Sequence, residues 1–228
     1  MPLHTQAAVQ PTGAPVSPQS FLARLPRDTQ DRLVSAGSRI DLNKEERIVD
    51  AGARPTWSYF PHGGLVSLQT MTQDGDTVEV AMVGREGVIG LPIAETLSTS
   101  PHTAVVLLPA QALRIRCDIL HKELQRDAAF QRALIAYWHD LTMLIAQRSM
   151  CHRFHTARRR LASWLLAASD RTHNPSIQMT QERLGDALGL KRTGVTAASI
   201  ALQDAGAIRA RHGRITIADR RKLEVLAC

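Results

Sequence analysis

The sequence predicts an α+β chain in three successive parts: short strands, then long helices, then a basic segment that mixes the two. Three observations carry this. Residues 40–118 break into short apolar runs separated by Gly and Pro, and residues 120–168 contain neither Gly nor Pro. The last fifty residues return to short helices and an alternating pattern around His212-Gly213. A chain of 228 residues, 44% hydrophobic, has apolar side chains enough for one large domain or two small ones. Collagenous and wholly disordered chains are excluded by the same composition.

Residues 1–20 are rich in Pro, Gln, Thr and Ala, carry no Lys or Arg and lack an apolar stretch. They read as a disordered leader rather than a secretory signal. A short helical stretch follows, with Phe21, Leu22, Leu25 and Leu33 as its apolar contacts. In "TWSYFPHGGLVSLQTM" two strands are punctuated by Pro61, Gly63 and Gly64. Asp74-Gly75 joins the next pair as a hairpin, and Val78, Val80 and Met82 alternate with Glu79 and Ala81 at the period of a half-buried strand. Two more strands meet at Pro109, and with the Gly-rich "GREGVIGLP" the whole predicts a small β-roll over 21–120. The uncharged run Thr96 to Leu113 is interrupted by Pro101 and Pro109 and is no membrane span.

Beyond Leu120 the absence of Gly and Pro predicts long helices. Leu134, Trp138, Leu141, Ile145 and Arg148 recur at helical spacing, an apolar stripe longer than one small roll needs. Residues 121–155 therefore read as a dimerisation helix with Leu134, Trp138, Leu141 and Ile145 at the seam; burial against its own domain remains open. Arg158-Arg159-Arg160 opens a second helix with Leu161, Trp164, Leu165 and Ala168 on one face, and 169–176 reads as a loop.

The charge is divided unevenly. Residues 1–120 hold 10 Lys and Arg against 12 Asp and Glu, whereas residues 121–228 hold 18 against 9. A fixed positive field of this kind attracts polyanions, chiefly nucleic acid. Cys117, Cys151 and Cys228 are widely spaced and form no CxxC pair, so they read as reduced thiols and not as a structural metal site. His152 and His155 lie at i, i+3, where only Cys151 stands near enough in sequence to complete a ligand set. No metal site is assigned. His62 and His102 lack the paired His-x-His and Glu of a metal-binding enzymatic roll, and no nucleophile elbow, phosphate loop or HExxH is present. The expectation is a protein without catalytic residues.

The sharpest signal is "MTQERLGDALGLKRTGVTAASIALQDAGAIRARHGRITI", residues 179–217. Thr180 is a helix N-cap, Leu184 and Leu188 point inward, and Gly189 supplies the left-handed residue of a tight turn. In the second helix Val195, Ala198 and Leu202 share the buried face, leaving Arg192, Thr193, Thr196, Ala197, Ile200 and Gln203 outward. After Gly206 a hairpin carries Arg209, Arg211 and Arg214. Helix, turn, helix and basic hairpin make a winged helix-turn-helix over 156–228. Outward polar residues of its second helix read base edges, and basic wing residues hold phosphates. Arg192, Thr193 and Thr196 are the candidate base contacts; Lys191, Arg209, Arg211 and Arg214 are the candidate phosphate contacts.

Over residues 21–220, and most specifically in "TQERLGDALGLKRTGVTAASIALQDAGAI", the chain resembles the CRP/FNR superfamily of bacterial transcription regulators. The resemblance implies a cyclic-nucleotide-binding-like roll, a homodimer joined through the long helix, and a recognition helix starting near Lys191. It also implies a cytoplasmic regulator whose partners are double-stranded DNA, a second copy of itself and RNA polymerase, with no membrane. Arg192 falls where the family commonly contacts a guanine. Two departures from the pattern stand out, one in the recognition helix and one in the roll. A second recognition Arg is replaced by Ala197, which predicts a palindromic operator different from the best-known family site. Leu91 follows Gly90 where the cyclic-nucleotide binders place Glu, and His102-Thr103 stands where they place Arg-Ser/Thr, with Arg85 and Arg114 as the available substitutes. A phosphate without its Arg loses a bidentate anchor, so cAMP is not the expected effector and the effector stays unassigned. Trp57, Tyr59 and Phe60 form either core or a stacking platform. The rival reading is a small-molecule sensor, of cyclic nucleotide or haem, that signals through protein contacts.

Overall fold

A computed structural model describes residues 20–91 and 99–228; the predicted leader up to residue 19 and positions 92–98, from the last residue of the Gly-rich stretch onward, lie outside the described residues. The elements of the first half run α1 (Arg27–Ala36), β1 (Ser38–Leu42), β2 (Arg47–Val49), β3 (Trp57–Pro61), β4 (Leu65–Met71), β5 (Thr77–Val83), β6 (Thr103–Leu108) and β7 (Ala110–Arg116). The second half runs α2 (Cys117–Arg126), α3 (Ala128–Phe154), α4 (Ala157–Thr172), β8 (Ser176–Gln178), α5 (Gln181–Leu188), α6 (Arg192–Asp204), β9 (Ile208–Arg211), β10 (Arg214–Ile217) and α7 (Arg220–Leu226). The α+β class and the order of strands, long helix and helix-turn-helix are as the sequence predicts. Among the described residues no helix is long and apolar enough to cross a membrane. Two compact units form, Met1–Gly64 with Val83–His139 and Leu65–Met82 with Asp140–Cys228.

In the first unit β7 is the centre of an antiparallel sheet, with β1 on one side (Ile40 opposite Ala112) and β3 on the other (Phe60 opposite Leu113). β2 pairs with β6 across a bulge. Phe21 is fully buried at the middle of an aromatic cluster, 6.0 Å from Phe60, 6.3 Å from Phe130 and 5.8 Å from Tyr137. The helical stretch anticipated around Phe21, Leu22, Leu25 and Leu33 thus buries all four residues. The long helical region is interrupted at Asp127, whose Oδ1 accepts from the backbone N–H of Ala129 and of Phe130 at 3.0 Å each. Its Oδ2 accepts from the Thr29 hydroxyl and, at 2.7 Å, from Arg32. The carboxylate therefore caps α3 and holds α1 against it. Those hydrogen bonds, the Thr29 one first, hold Asp127 below the usual carboxylate range.

In the second unit β4 and β5 form the hairpin expected at Asp74-Gly75, closed by Thr72 N–H donating to Asp76 O at 2.9 Å. The facing of β5 corrects the sequence reading: Glu79 and Ala81 are fully buried, whereas Val78 and Val80 are only half-buried. The cause is a polar contact. Arg148 of α3 forms an ion pair with Glu79, and Trp164 Nε1 of α4 donates to the same carboxylate oxygen at 3.0 Å. Arg148, which the helical spacing placed on the apolar stripe, turns to meet this carboxylate. Leu161, Trp164, Leu165 and Ala168 are buried, as the second helical pattern predicts. α4 runs on to Thr172 through the first part of the expected loop, and its face carries α6 and α7.

The stripe on α3 needs one correction. Leu134 and Leu141 are only 4% and 9% exposed and belong to the chain's own core, while Trp138 and Ile145 are half-buried. The outward apolar row is Ile135, Met143, Met150 and Phe154, each more than half exposed. At about 100° per residue Trp138 and Ile145 flank that row, and Leu134 and Leu141 lie a quarter-turn or more away.

Glu79→Ala would leave Arg148 and the Trp164 indole N–H buried without an acceptor, and is expected to cost about 3–5 kcal/mol. Denaturant unfolding followed by circular dichroism checks this; a loss below about 1 kcal/mol would mean that the pair only fills space.

Candidate nucleic-acid interface

α5 starts at Thr180, whose hydroxyl accepts from Arg183 N–H at 3.3 Å. It ends at Gly189, at φ +58°. Leu190 N–H then donates to Gly185 O at 2.9 Å, and a side chain at Gly185 would place its Cβ 2.6 Å from Leu190 O. The turn therefore requires a left-handed residue at 189 and no side chain at 185. In α6, Val195, Ala198, Ser199 and Leu202 are buried, confirming the inward face.

The outward face is narrower than the sequence suggested. Arg192, Thr193, Ala197 and Ile200 are exposed, with Lys191 at the helix start. Thr196 is half-buried; its hydroxyl donates to Gln181 Oε1 at 2.8 Å, with Arg192 O at 3.0 Å as a second acceptor. Gln203 is also spent internally, its Oε1 accepting from Ala210 N–H at 3.1 Å. Thr196 thus fixes the angle between α5 and α6, and Gln203 fixes the hairpin to α6.

The hairpin turns through His212 and Gly213, both at positive φ, as the two central residues of a tight turn must be. β10 pairs with β9 and, on its other edge, with β8. The wing tip is anchored by Met179 N–H donating to Gly213 O at 2.8 Å. Arg211 and Arg214 face each other across the ladder and Arg209 lies two residues back; all three are exposed. Like charges directly opposite one another on a ladder are unfavourable by a few tenths of a kcal/mol, a cost that a bound polyanion offsets. The structure brings Lys191, Arg192, Arg209, Arg211 and Arg214 into one unit, and among the described residues none of the five is engaged in an ion pair.

Two acidic groups of the same unit are engaged with another arginine. Asp170 and Glu224 both bind Arg220 (2.6 and 2.8 Å), pinning α7 to α4 and raising the Arg220 guanidinium above its ordinary value. Neither β8 nor α7 was anticipated, because three residues after a proline and a seven-residue helix carry too little periodicity.

The remaining sequence candidates fall into two groups. In the first unit the Arg114 guanidinium lies 4.2 Å over the Trp57 ring, and burial lowers the pKa of His102 and of His62. Tyr59 and Phe60 are core, with Tyr59 exchanging both backbone hydrogen bonds with Ile89. In the second unit His152 Nδ1 meets Arg160 at 3.1 Å, whereas His155 lies with Cys151 and Cys228. Cys228 is 77 residues from Cys151, so no local pattern could have joined them.

Residues 159–226 match the family model of the Crp-like helix-turn-helix domain. The C-terminal part of this chain is therefore similar to that domain. The fold as a whole is similar to that of three solved structures. FixK2 from Bradyrhizobium japonicum is 20% identical, with 84% of this chain and 98% of that one covered at a TM-score of 0.73. The c-di-GMP-responsive global regulator CLP of Xanthomonas campestris is 14% identical, with 85% and 100% covered at a TM-score of 0.70. A CRP-family regulator from Thermus thermophilus is 18% identical, with 81% and 94% covered at a TM-score of 0.67. No curated protein matches the chain.

Replacing Thr196 by Val in the Crp-like domain removes the brace to Gln181 and should lower stability by about 1 kcal/mol while leaving the preferred DNA sequence unchanged. Unfolding and sequence-preference measurements on the same variant check both halves. An altered preference would give Thr196 a direct part in base reading.

Proposed function

We propose that this protein is a sequence-specific transcription regulator that binds a palindromic operator as a homodimer in the cytoplasm, under an effector other than cAMP. The observation that carries the reading is the exposed first turn of α6, where Lys191, Arg192 and Thr193 stand at a helix N-terminus beside a wing of unpaired arginines. A helix N-terminus and unpaired guanidinium groups both favour phosphate, and an exposed arginine at that turn can pair with guanine O6 and N7. Arg192 and Thr193 read bases; Lys191, Arg209, Arg211 and Arg214 hold the backbone. Ala197 gives no polar contact, so part of each half-site is read by apolar contact alone.

The dimer is proposed through α3, whose exposed row Ile135, Met143, Met150 and Phe154, flanked by Trp138 and Ile145, supplies an apolar seam. Two recognition helices then enter successive major grooves about one helical turn apart. RNA polymerase is the further partner proposed for such a regulator. That cAMP is not the effector is supported by the Arg114–Trp57 stack, which engages one of the two guanidinium groups, Arg85 being the other, that could replace the missing phosphate anchor.

Arg192→Ala should relax base preference at one position of each half-site, worth about 1–3 kcal/mol, whereas Arg211→Ala should weaken all duplexes alike and flatten the salt dependence. Fluorescence anisotropy across a salt series distinguishes them. An Arg192→Ala protein with unchanged preference would contradict the assignment of the recognition helix.

A further inference from the structure

The end of α3, the residue after it and the end of the chain's last helix converge on one point of the second unit. Cys151 lies in the last turn of α3, His155 just beyond it, and Cys228 follows α7. The two sulfur atoms are 3.4 Å apart, and the three ligand atoms all lie within 4.8 Å of one another. The chain holds Cys228 there through α4: Ser163 Oγ is 2.9 Å from Cys228 N and 2.9 Å from its Sγ. Gln147 Nε2 points at the Cys151 sulfur from 3.6 Å.

A second observation concerns the imidazole. His155 Nδ1 is buried and has no hydrogen-bond partner among the described residues. A buried ring nitrogen without a partner is costly, and a ligand removes that cost. For a tetrahedral ion with bonds of about 2.3 Å to sulfur and about 2.0 Å to nitrogen, donor atoms stand roughly 3.5–3.8 Å apart. The sulfur pair lies within a few tenths of an ångström of that spacing and needs only a small side-chain adjustment.

We propose that Cys151, His155 and Cys228 form a site for a thiophilic divalent cation of the Zn²⁺ type, with two thiolates and one imidazole as ligands and a fourth position left to solvent or a small exogenous donor. A cavity of about 160 Å³ adjoins it, lined by both cysteines together with Leu144, Trp164 and Leu188, and supplies the room for that fourth group. Two thiolates neutralise the ion, so the adjacent Arg148 and Arg160 meet no net positive charge. Binding displaces one proton from each thiol, two per ion. The ion ties the end of α3 to the end of the chain beyond α7, which packs on α4, the helix on which α6 is seated. Occupancy therefore stiffens the frame of the DNA-binding unit.

The test is a Zn²⁺ titration of the reduced full chain against a chromophoric chelator, with Co²⁺ as spectroscopic probe. The expected result is one ion per chain, about two protons released per ion and a thiolate-to-Co²⁺ charge-transfer band. Cys151→Ser, Cys228→Ser and His155→Ala, each checked for wild-type circular dichroism, should lower affinity by about 100-fold or more, whereas Cys117→Ser should not. Binding that survives Cys228→Ser or His155→Ala would overturn the proposal. So would a reduced chain that takes up no Zn²⁺ and instead forms a Cys151–Cys228 disulfide in air, the mark of a thiol pair that responds to oxidants.

Discussion

The carboxylate of Glu79 is wholly removed from solvent, and three elements of the second unit are positioned by it. Arg148 brings α3 to it, the Trp164 indole brings α4, and the hairpin of β4 and β5 delivers it. Burying a carboxylate is expensive, and the expense is offset only while both donors are in place. α4 is then fixed in rotation as well as position, because Trp164 is one of the largest fully buried side chains of the chain. Since α6 and α7 both rest on α4, the direction in which α6 faces follows from this one polar contact among apolar neighbours.

On that frame the Crp-like domain separates two tasks among similar residue types. Polar side chains that set angles are consumed internally: Thr196 on Gln181, Gln203 on the wing, Thr180 on the first turn of α5. Arginines divide in the same way. Arg220 takes both Asp170 and Glu224, and Arg183 lies 3.7 Å from Asp186, so those acidic groups are spent within the fold. Lys191, Arg192 and the three wing arginines make no ion pair among the described residues, which is what an electrostatic footprint for a polyanion requires. Screening by salt acts on such exposed charges first, so the attraction of this face for a polyanion is more sensitive to ionic strength than the stability of the fold is.

Sequence reading went furthest where the chain's own neighbours decide conformation. Asp74-Gly75 and His212-Gly213 turn because positive φ is available there, and Gly189 separates two helices for the same reason. Val195, Ala198 and Leu202 repeat at helical spacing, so their burial was readable without a structure. It failed where a distant partner decides. The alternation in β5 predicted Val78 and Val80 inward, yet Glu79 goes in because Arg148 and Trp164, 69 and 85 residues away, are there to receive it. Arg148 and Leu141 fit an intermolecular stripe equally well by spacing, since periodicity does not say which side of a helix meets its own chain. Thr196 read as outward because a side chain that hydrogen-bonds sideways to the next helix has the same spacing as one facing solvent. The meeting of Cys151 with Cys228 had no sequence signal at all, because it is set by the packing of α4 against α7.

The account's central claim is that two copies of this chain present α6 to DNA as a symmetric pair. Selection of bound sequences from a random duplex pool, using protein free of any added effector, tests it most directly. The account predicts an enriched motif with two-fold symmetry and half-sites about one helical turn apart, whose bases change when Arg192 is replaced. Enrichment of an asymmetric motif, or of none in a protein whose affinity for duplex is insensitive to salt, would contradict it.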